Sequence, residues 1–372
     1  MQPFSFGNIV KGVHFFDRKE ETKRIVSTLQ GGNNIVLFAP RRFGKTSLVF
    51  KAVEELEKLG FKCIYIDFMS IYSRESFIEN YIKAILKNQS NLQKAIKTLT
   101  TLITSIRPIL TFDNNGTPEF SIDFFESKIQ DKTIEEVIDL PEKLSNSKNR
   151  FIIIMDEFQD ILKLNGDSFE KLLRSKIQHQ QNTNYIFLGS KTHLLNDMFN
   201  NKGRAFYNSA MIMQIDALPE KEAIEFIQSR FFKYDISIDD ENTKLLIKEA
   251  GNIPYYIQML SAEIWQNVIK EKKTIEKEDI INSATQIIFI KRDYYYELFD
   301  KLSIYQKKLL KALTVSGKNV YSKEYNKRFR LSAHSTTQKA ITNLLHSGII
   351  EKESDGYYIS DPFFKRYIEN YA

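Results

Sequence analysis

Residues 35–48 read IVLFAPRRFGKTSL: four apolar residues, a loop, then Gly44-Lys45-Thr46 opening a helical pattern. A buried strand that turns through glycine into a helix aims successive backbone N–H groups and a helix N-terminus at one point, which makes an anion site. The string follows the phosphate-loop pattern G-x-x-x-x-G-K-[ST] with one departure, Ala39 at the first glycine. Glycine there permits close approach and unusual dihedrals, and alanine can replace it if its φ is negative. The loop runs Ala39-Pro40-Arg41-Arg42-Phe43-Gly44-Lys45-Thr46-Ser47. Lys45 would reach the β/γ-phosphates of ATP, and the Thr46 hydroxyl would take one Mg²⁺ position. Arg41 and Arg42 are open to two readings, phosphate contacts or loop and interface charges.

Outward from the loop, residues 15–30 read as a charged helix and 45–59 as an amphipathic helix closed by Gly60. A second apolar run follows at 61–68, so strand, helix and strand form a βαβ unit with a parallel sheet. Residues 76–105 read as helical. The stretch 107–125, with Pro108 and Asn114-Asn115-Gly116, suggests a hairpin or a loop excursion. Further elements are a helix at 131–146, strands at 151–155 and 185–188, and a helix at 167–181. From Pro219 to about residue 300 the pattern is helical throughout. The fold class expected is α/β, a P-loop NTPase parallel sheet followed by a helical lid and a winged helix-turn-helix. The expected domains are 1–215, 216–298 and 299–372.

The strand at 151–155 runs into Asp156-Glu157. An acidic pair at a strand's carboxyl end supplies what a phosphate loop lacks. Asp156 would hold Mg²⁺, and Glu157 would orient and polarise the attacking water. The Asp-Glu order favours hydrolysis over transfer to a small molecule, which argues against a P-loop kinase. Ser190, after the next strand, would sense the γ-phosphate; the alternative is a small-residue turn.

Composition bounds the rest. The 372 residues suffice for two or three domains, and no segment approaches a membrane span. The N-terminal MQPFSFGNIVKG has no signal-peptide pattern, so the expected location is cytoplasmic. The single cysteine, Cys63, excludes an internal disulfide and a Cys-based zinc cluster, and its apolar surroundings suggest a core thiol. A net charge of +6 permits nucleic-acid contact without requiring it. Near the C-terminus, helices at 304–316, 322–330 and 335–346, the last capped by Ser335, precede a wing at 348–360. The third helix offers Thr336, Thr337, Gln338, Lys339 and Asn343 to double-stranded DNA, with Lys323, Lys327, Arg328 and Arg330 for phosphates. The other use of such a module is contact with a protein partner; self-assembly is also left open.

In order, FSFGNIVKGVHFFDRKEE (ending at Glu21), APRRFGKTS (39–47), IIIMDEFQDI (152–161), FLGSKTHLL (187–195), GNIPYYIQML (251–260) and Asp361-Pro362-Phe363 cover nearly the whole length. With these landmarks the chain resembles the archaeal-type ATPases of the STAND branch of AAA+-like P-loop NTPases. The resemblance implies a molecular switch with ATP/ADP and Mg²⁺ as ligands. It implies that Phe16, Arg18 and Glu21 lie near the adenine and that Pro254 of the lid lies near the nucleotide. Gly251-Asn252-Ile253-Pro254 can equally be a break between helices. Relatives often carry Tyr-Gly-Arg before the lid; here the string is Phe206-Tyr207-Asn208-Ser209. Arg204 or Arg230 would have to replace that arginine unless each is a surface charge. Since such a residue contributes about 10³–10⁵ in rate, slow turnover is expected.

Overall fold

A computed structural model describes residues 2–9, 12, 15, 18–87, 92–103, 106–112, 118–124, 130–147, 149–190, 192–269, 273–332, 334–353 and 356–372. The chain divides into two compact units. One comprises Arg18–Pro40 and Lys45–Asp216; the other comprises Met1–Asp17, Arg41–Gly44 and Ala217–Ala372.

The first unit opens with α1 (Lys19–Gln30), shorter than the expected 15–30. Arg18 bounds it, since that buried guanidinium is held by Glu21 and the Asp216 carbonyl. Then come β1 (Ile35–Phe38), α2 (Lys45–Lys58), β2 (Lys62–Asp67), α3 (Arg74–Lys87) and α4 (Leu92–Leu102). The single helix expected over 76–105 is therefore two. Strands β3 (Ile106–Phe112) and β4 (Pro118–Phe124) pair antiparallel, Ile106 opposite Phe124, which gives the hairpin expected at 107–125. The helix expected at 131–146 is broken into α5 (Asp131–Ile138) and α6 (Leu140–Leu144), with Pro141 in the first turn of the second. Next are β5 (Phe151–Asp156), α7 (Gly166–Ile177), β6 (Thr183–Gly189), α8 (Thr192–Asn200) and β7 (Met211–Gln214).

Five strands form one sheet in the order β2-β5-β6-β1-β7, every pairing parallel. Strands β1, β5 and β6 are buried along their whole length, as continuous apolar runs covered on both faces must be. Parallel pairing sets all five carboxyl ends on one edge, where open α/β sheets bind ligands. Beneath that edge Phe158, Phe187, Phe199 and Phe206 pack ring against ring at 4.6–6.1 Å. Cys63 is buried on β2 as expected, and burial, with Glu57 nearby, pushes its thiol up to about 12.

The second unit is helical: α9 (Glu220–Phe232), α10 (Asp240–Glu249), α11 (Pro254–Val268), α12 (Lys277–Ile290) and α13 (Arg292–Asp300). It continues with α14 (Ile304–Val315), α15 (Lys323–Arg328), α16 (His334–His346), β8 (Ile350–Glu353), β9 (Gly356–Ile359) and α17 (Pro362–Tyr371). Three helices and an antiparallel pair, Ile350 opposite Ile359, make the winged helix. Ser303 and Ser322 cap α14 and α15 through their side chains. Ser335 does not cap α16; it lies inside a helix that already starts at His334. Thr337, expected on the reading face, is fully buried and shares a hydrogen bond of 2.6 Å with the Tyr305 hydroxyl. Thr336, Gln338, Lys339 and Asn343 are exposed, as are Lys323, Lys327, Arg328 and Arg330.

Candidate nucleotide site

The loop after β1 resolves the question set by Ala39. Ala39 is buried and is not among the residues with positive φ; the left-handed positions are Arg42, φ 73°, and Gly44, φ 81°. A Cβ on Gly44 would meet nothing within 4 Å, so glycine serves there for its dihedral and not for room. Arg42 is an unfavourable residue for such a φ, and several contacts hold it. Its carbonyl accepts the Tyr255 N–H at 3.3 Å, and its guanidinium lies 5.3 and 4.9 Å from the Tyr255 and Tyr256 ring centroids. It also pairs with Asp361 at 3.6 Å. Asp361 in turn accepts the Tyr295 hydroxyl at 3.2 Å and caps α17 through the N–H groups of Phe363 and Phe364. Arg41 is exposed and faces Glu351 of the wing.

Lys45 and Thr46 open α2, and their partners come from the end of β5. Lys45 Nζ, nearly buried, lies 3.3 Å from Asp156 Oδ1 and 3.5 Å from Glu157 Oε1. Thr46 Oγ1 donates to Asp156 Oδ2 at 3.2 Å, and the Tyr65 hydroxyl on β2 donates to the same oxygen at 2.6 Å. Glu157 sits in a left-handed conformation, φ 49°, at the break after β5. Its Oε2 accepts Ser190 N at 3.2 Å, Ser190 Oγ at 2.9 Å and Gln159 Nε2 at 2.5 Å. Burial disfavours the Glu157 carboxylate, yet Lys45 and the donors of Gln159 and Ser190 outweigh it and hold the acid below its ordinary value. Burial and Asp156 push the Tyr65 hydroxyl far up, so it stays a donor. A hydroxyl and a carboxylate joined by one hydrogen bond suit Mg²⁺, which needs one or two protein oxygens and takes the rest from phosphates and water.

The structure thus brings together Lys45, Thr46, Asp156, Glu157 and Ser190. Ser47 is buried in the first turn of α2, and Phe43 is buried while Pro40 is half-buried. Arg18 spends its guanidinium on Glu21 and the Asp216 carbonyl. Phe16 lies outside the described residues. Pro254 is the first residue of α11, immediately before the Tyr255 that bonds Arg42. Of the arginines considered as substitutes, Arg204 is tied to Glu170, Asp167 and Asp197. Arg230 lies over the Phe226 ring. Phe206, at the position that Tyr-Gly-Arg takes in the relatives, is a core residue. Tyr65 and Gln159 carry no signal in the sequence, because nothing in a lone Tyr or Gln reveals that it meets an acidic side chain.

Sheet order, loop and acidic pair define a P-loop ATPase domain joined to a winged helix. Residues 15–260 match a family described as an ATPase domain predominantly from Archaea, and the chain belongs to that family. Residues 293–370 match a probable winged helix domain. Among relatives, an uncharacterized ATP-binding protein of Methanocaldococcus jannaschii is 26% identical over 302 residues, 77% of each chain. Another, of Pyrococcus horikoshii, is 25% identical over 257 residues, 65% of this chain and 73% of its own. The Walker-type ATPase of Pyrococcus abyssi superposes with a TM-score of 0.67 at 18% identity, over 99% of both chains. The ORC2 protein of Aeropyrum pernix, in its ADPNP–ADP complexes, gives 0.57 at 12% identity over 99% and 96%. Both superpositions describe fold alone.

Proposed function

We propose that the chain binds ATP with Mg²⁺ on loop 39–47, hydrolyses it slowly, and uses the nucleotide state to control its winged helix. The observation that carries this reading is the convergence of Lys45, Thr46, Asp156, Glu157 and Ser190 within hydrogen-bond and ion-pair distances. With ATP bound, Lys45 exchanges its carboxylate partners for β/γ-phosphate oxygens. Thr46 and Asp156 would hold Mg²⁺, which supplies charge neutralisation on the phosphates. Glu157, kept ionised, accepts the proton of the attacking water, and Ser190 reports on the γ-phosphate. Relatives that bear the name ATP-binding support the choice of nucleotide.

The winged helix would contact double-stranded DNA through the exposed residues of α16, with Lys323, Lys327, Arg328 and Arg330 on phosphates, or else a protein partner. A second reading keeps the nucleotide but makes hydrolysis negligible, a nucleotide-gated DNA-binding regulator. It is favoured by the engagement of Arg204 with three acids, which leaves that arginine unable to serve the transition state.

Two variants test both. Lys45→Ala should abolish ATP binding in an equilibrium titration, and unchanged affinity would sink the site assignment. Glu157→Gln should keep ATP and lose about 10²–10⁴ in hydrolysis, the usual contribution of a general base. Wild-type turnover in that variant would remove Glu157 from the chemistry.

A further inference from the structure

Gln159 enters none of the roles above, yet it is among the most constrained polar residues of the unit. It is 3% exposed, and its Nε2 donates to Glu157 Oε2 at 2.5 Å. Its own Oε1 is buried with no hydrogen-bond partner among the described residues. A buried amide oxygen without a donor is costly, so what retains Gln159 is the other end of its amide, the bond to Glu157. The end of β6 is shaped around it. A Cβ on Gly189 would come within 2.1 Å of Gln159 Oε1 and 2.5 Å of Leu195 Cδ1, so residue 189 is glycine where the amide passes.

The two oxygens of Glu157 are treated differently. Oε2 receives all three close donors, Gln159 Nε2, Ser190 N and Ser190 Oγ, whereas Oε1 has Lys45 at 3.5 Å. The lone pairs of Oε2 are committed to protein N–H and O–H groups and are poor acceptors for a further proton. Oε1 is freed when Lys45 turns to phosphate.

We infer that Gln159 is a positioning residue for Glu157: together with Ser190 it clamps Oε2 and so makes Oε1 the oxygen that addresses the attacking water. This rests on the hydrolytic reading above. A clamp of this kind aims the carboxylate out of a left-handed backbone turn that would otherwise leave its side chain several rotamers.

The test is a graded series in the full chain: wild type, Gln159→Met, which keeps the volume and removes the donor, and Gln159→Glu, which keeps the shape and adds a like charge. Steady-state ATP hydrolysis gives kcat, and ATP affinity is measured separately. Expected are a kcat about tenfold lower or more in Gln159→Met and an ATP affinity within about twofold of wild type. Gln159→Glu, which sets a second carboxylate against Oε2 in place of a donor, should lower kcat further at the same affinity. Gly189→Ala, which displaces the amide without altering residue 159, should reproduce the Gln159→Met profile; if it does not fold, the two Gln159 variants decide alone. A kcat at the wild-type level in Gln159→Met overturns the inference, and so does a loss of ATP affinity that parallels the loss of kcat, whatever the variants' thermal stability. Glu157→Gln separates the two levels. If it is inactive while the Gln159 variants match wild type, only the positioning role fails; if it is fully active, the hydrolytic reading itself fails.

Discussion

At position 39 the side chain departs from the phosphate-loop pattern and the backbone does not. Ala39 is buried and its φ is not positive, whereas Arg42 and Gly44 carry the left-handed turns. Glycine at 39 would therefore relieve no strain and would only enlarge the conformational freedom of the unfolded chain. Ala39→Gly should lower stability by about 0.5–1 kcal/mol and leave ATP affinity unchanged. Denaturant unfolding together with nucleotide titration checks this, and a tighter ATP complex in the variant would show that the methyl group obstructs the phosphates. At Arg42 a non-glycine residue keeps a positive φ because two tyrosine rings, Asp361 and the Tyr255 N–H all engage it.

At the scale of elements, the wing carries a titratable strain. Glu351 on β8 is half-buried; its desolvation raises its carboxyl from 4.5 to about 7, with Arg41 drawing it partly back. The folded state therefore holds the proton more tightly than the unfolded chain does. The stability this contributes is complete below about pH 4.5 and is lost as pH rises through about 7. Melting followed between these values should show the wild type falling with pH relative to Glu351→Gln, which stays neutral throughout. Parallel curves would mean that Glu351 is solvated as a carboxylate in the folded wing. Elements differ in how far they can be read from sequence for related reasons. Strand β5 and the loop after β1 were plain, since both are local strings with a strong pattern. Strand β7, four residues with Met211 and Ile212 40% and 37% exposed, has too little buried periodicity to be seen. Helix α17 has a good start signal in Asp361-Pro362, yet it lies beyond the wing, outside the helix-helix-helix-wing pattern that the sequence suggests. Of the site, the residues of the loop and of Asp156-Glu157 were legible. Tyr65, Gln159 and the engagement of Arg204 were not, for these depend on pairings across the sheet and between helices that no local pattern encodes.

At the scale of the molecule, the loop belongs to two packing environments. Residues Arg41–Gly44 group with the C-terminal unit, while Lys45 and Thr46 group with the α/β unit. The link that would carry a signal runs from Arg42 to Asp361, and from Asp361 to the first turn of α17 and to Tyr295 on α13. Its strength can be bounded. An ion pair at 3.6 Å with Arg42 40% exposed contributes under about 1 kcal/mol, and stacking on two tyrosines adds about 0.5–2 kcal/mol. The sum is an upper bound on what this contact can contribute to coupling, because only the part that differs between nucleotide states counts. Asp361→Asn is the incisive variant, because it retains a side-chain oxygen for the cap of α17 while removing the charge that Arg42 faces. Hydrogen exchange at the amides of α17 should differ between ATP-bound and nucleotide-free wild type, and that difference should shrink in Asp361→Asn at unchanged ATP affinity. If ATP leaves the exchange of α17 unaltered in the wild type, nucleotide state does not reach the winged helix by this route, and the Arg42–Asp361 pair serves only to hold the loop in its left-handed turn.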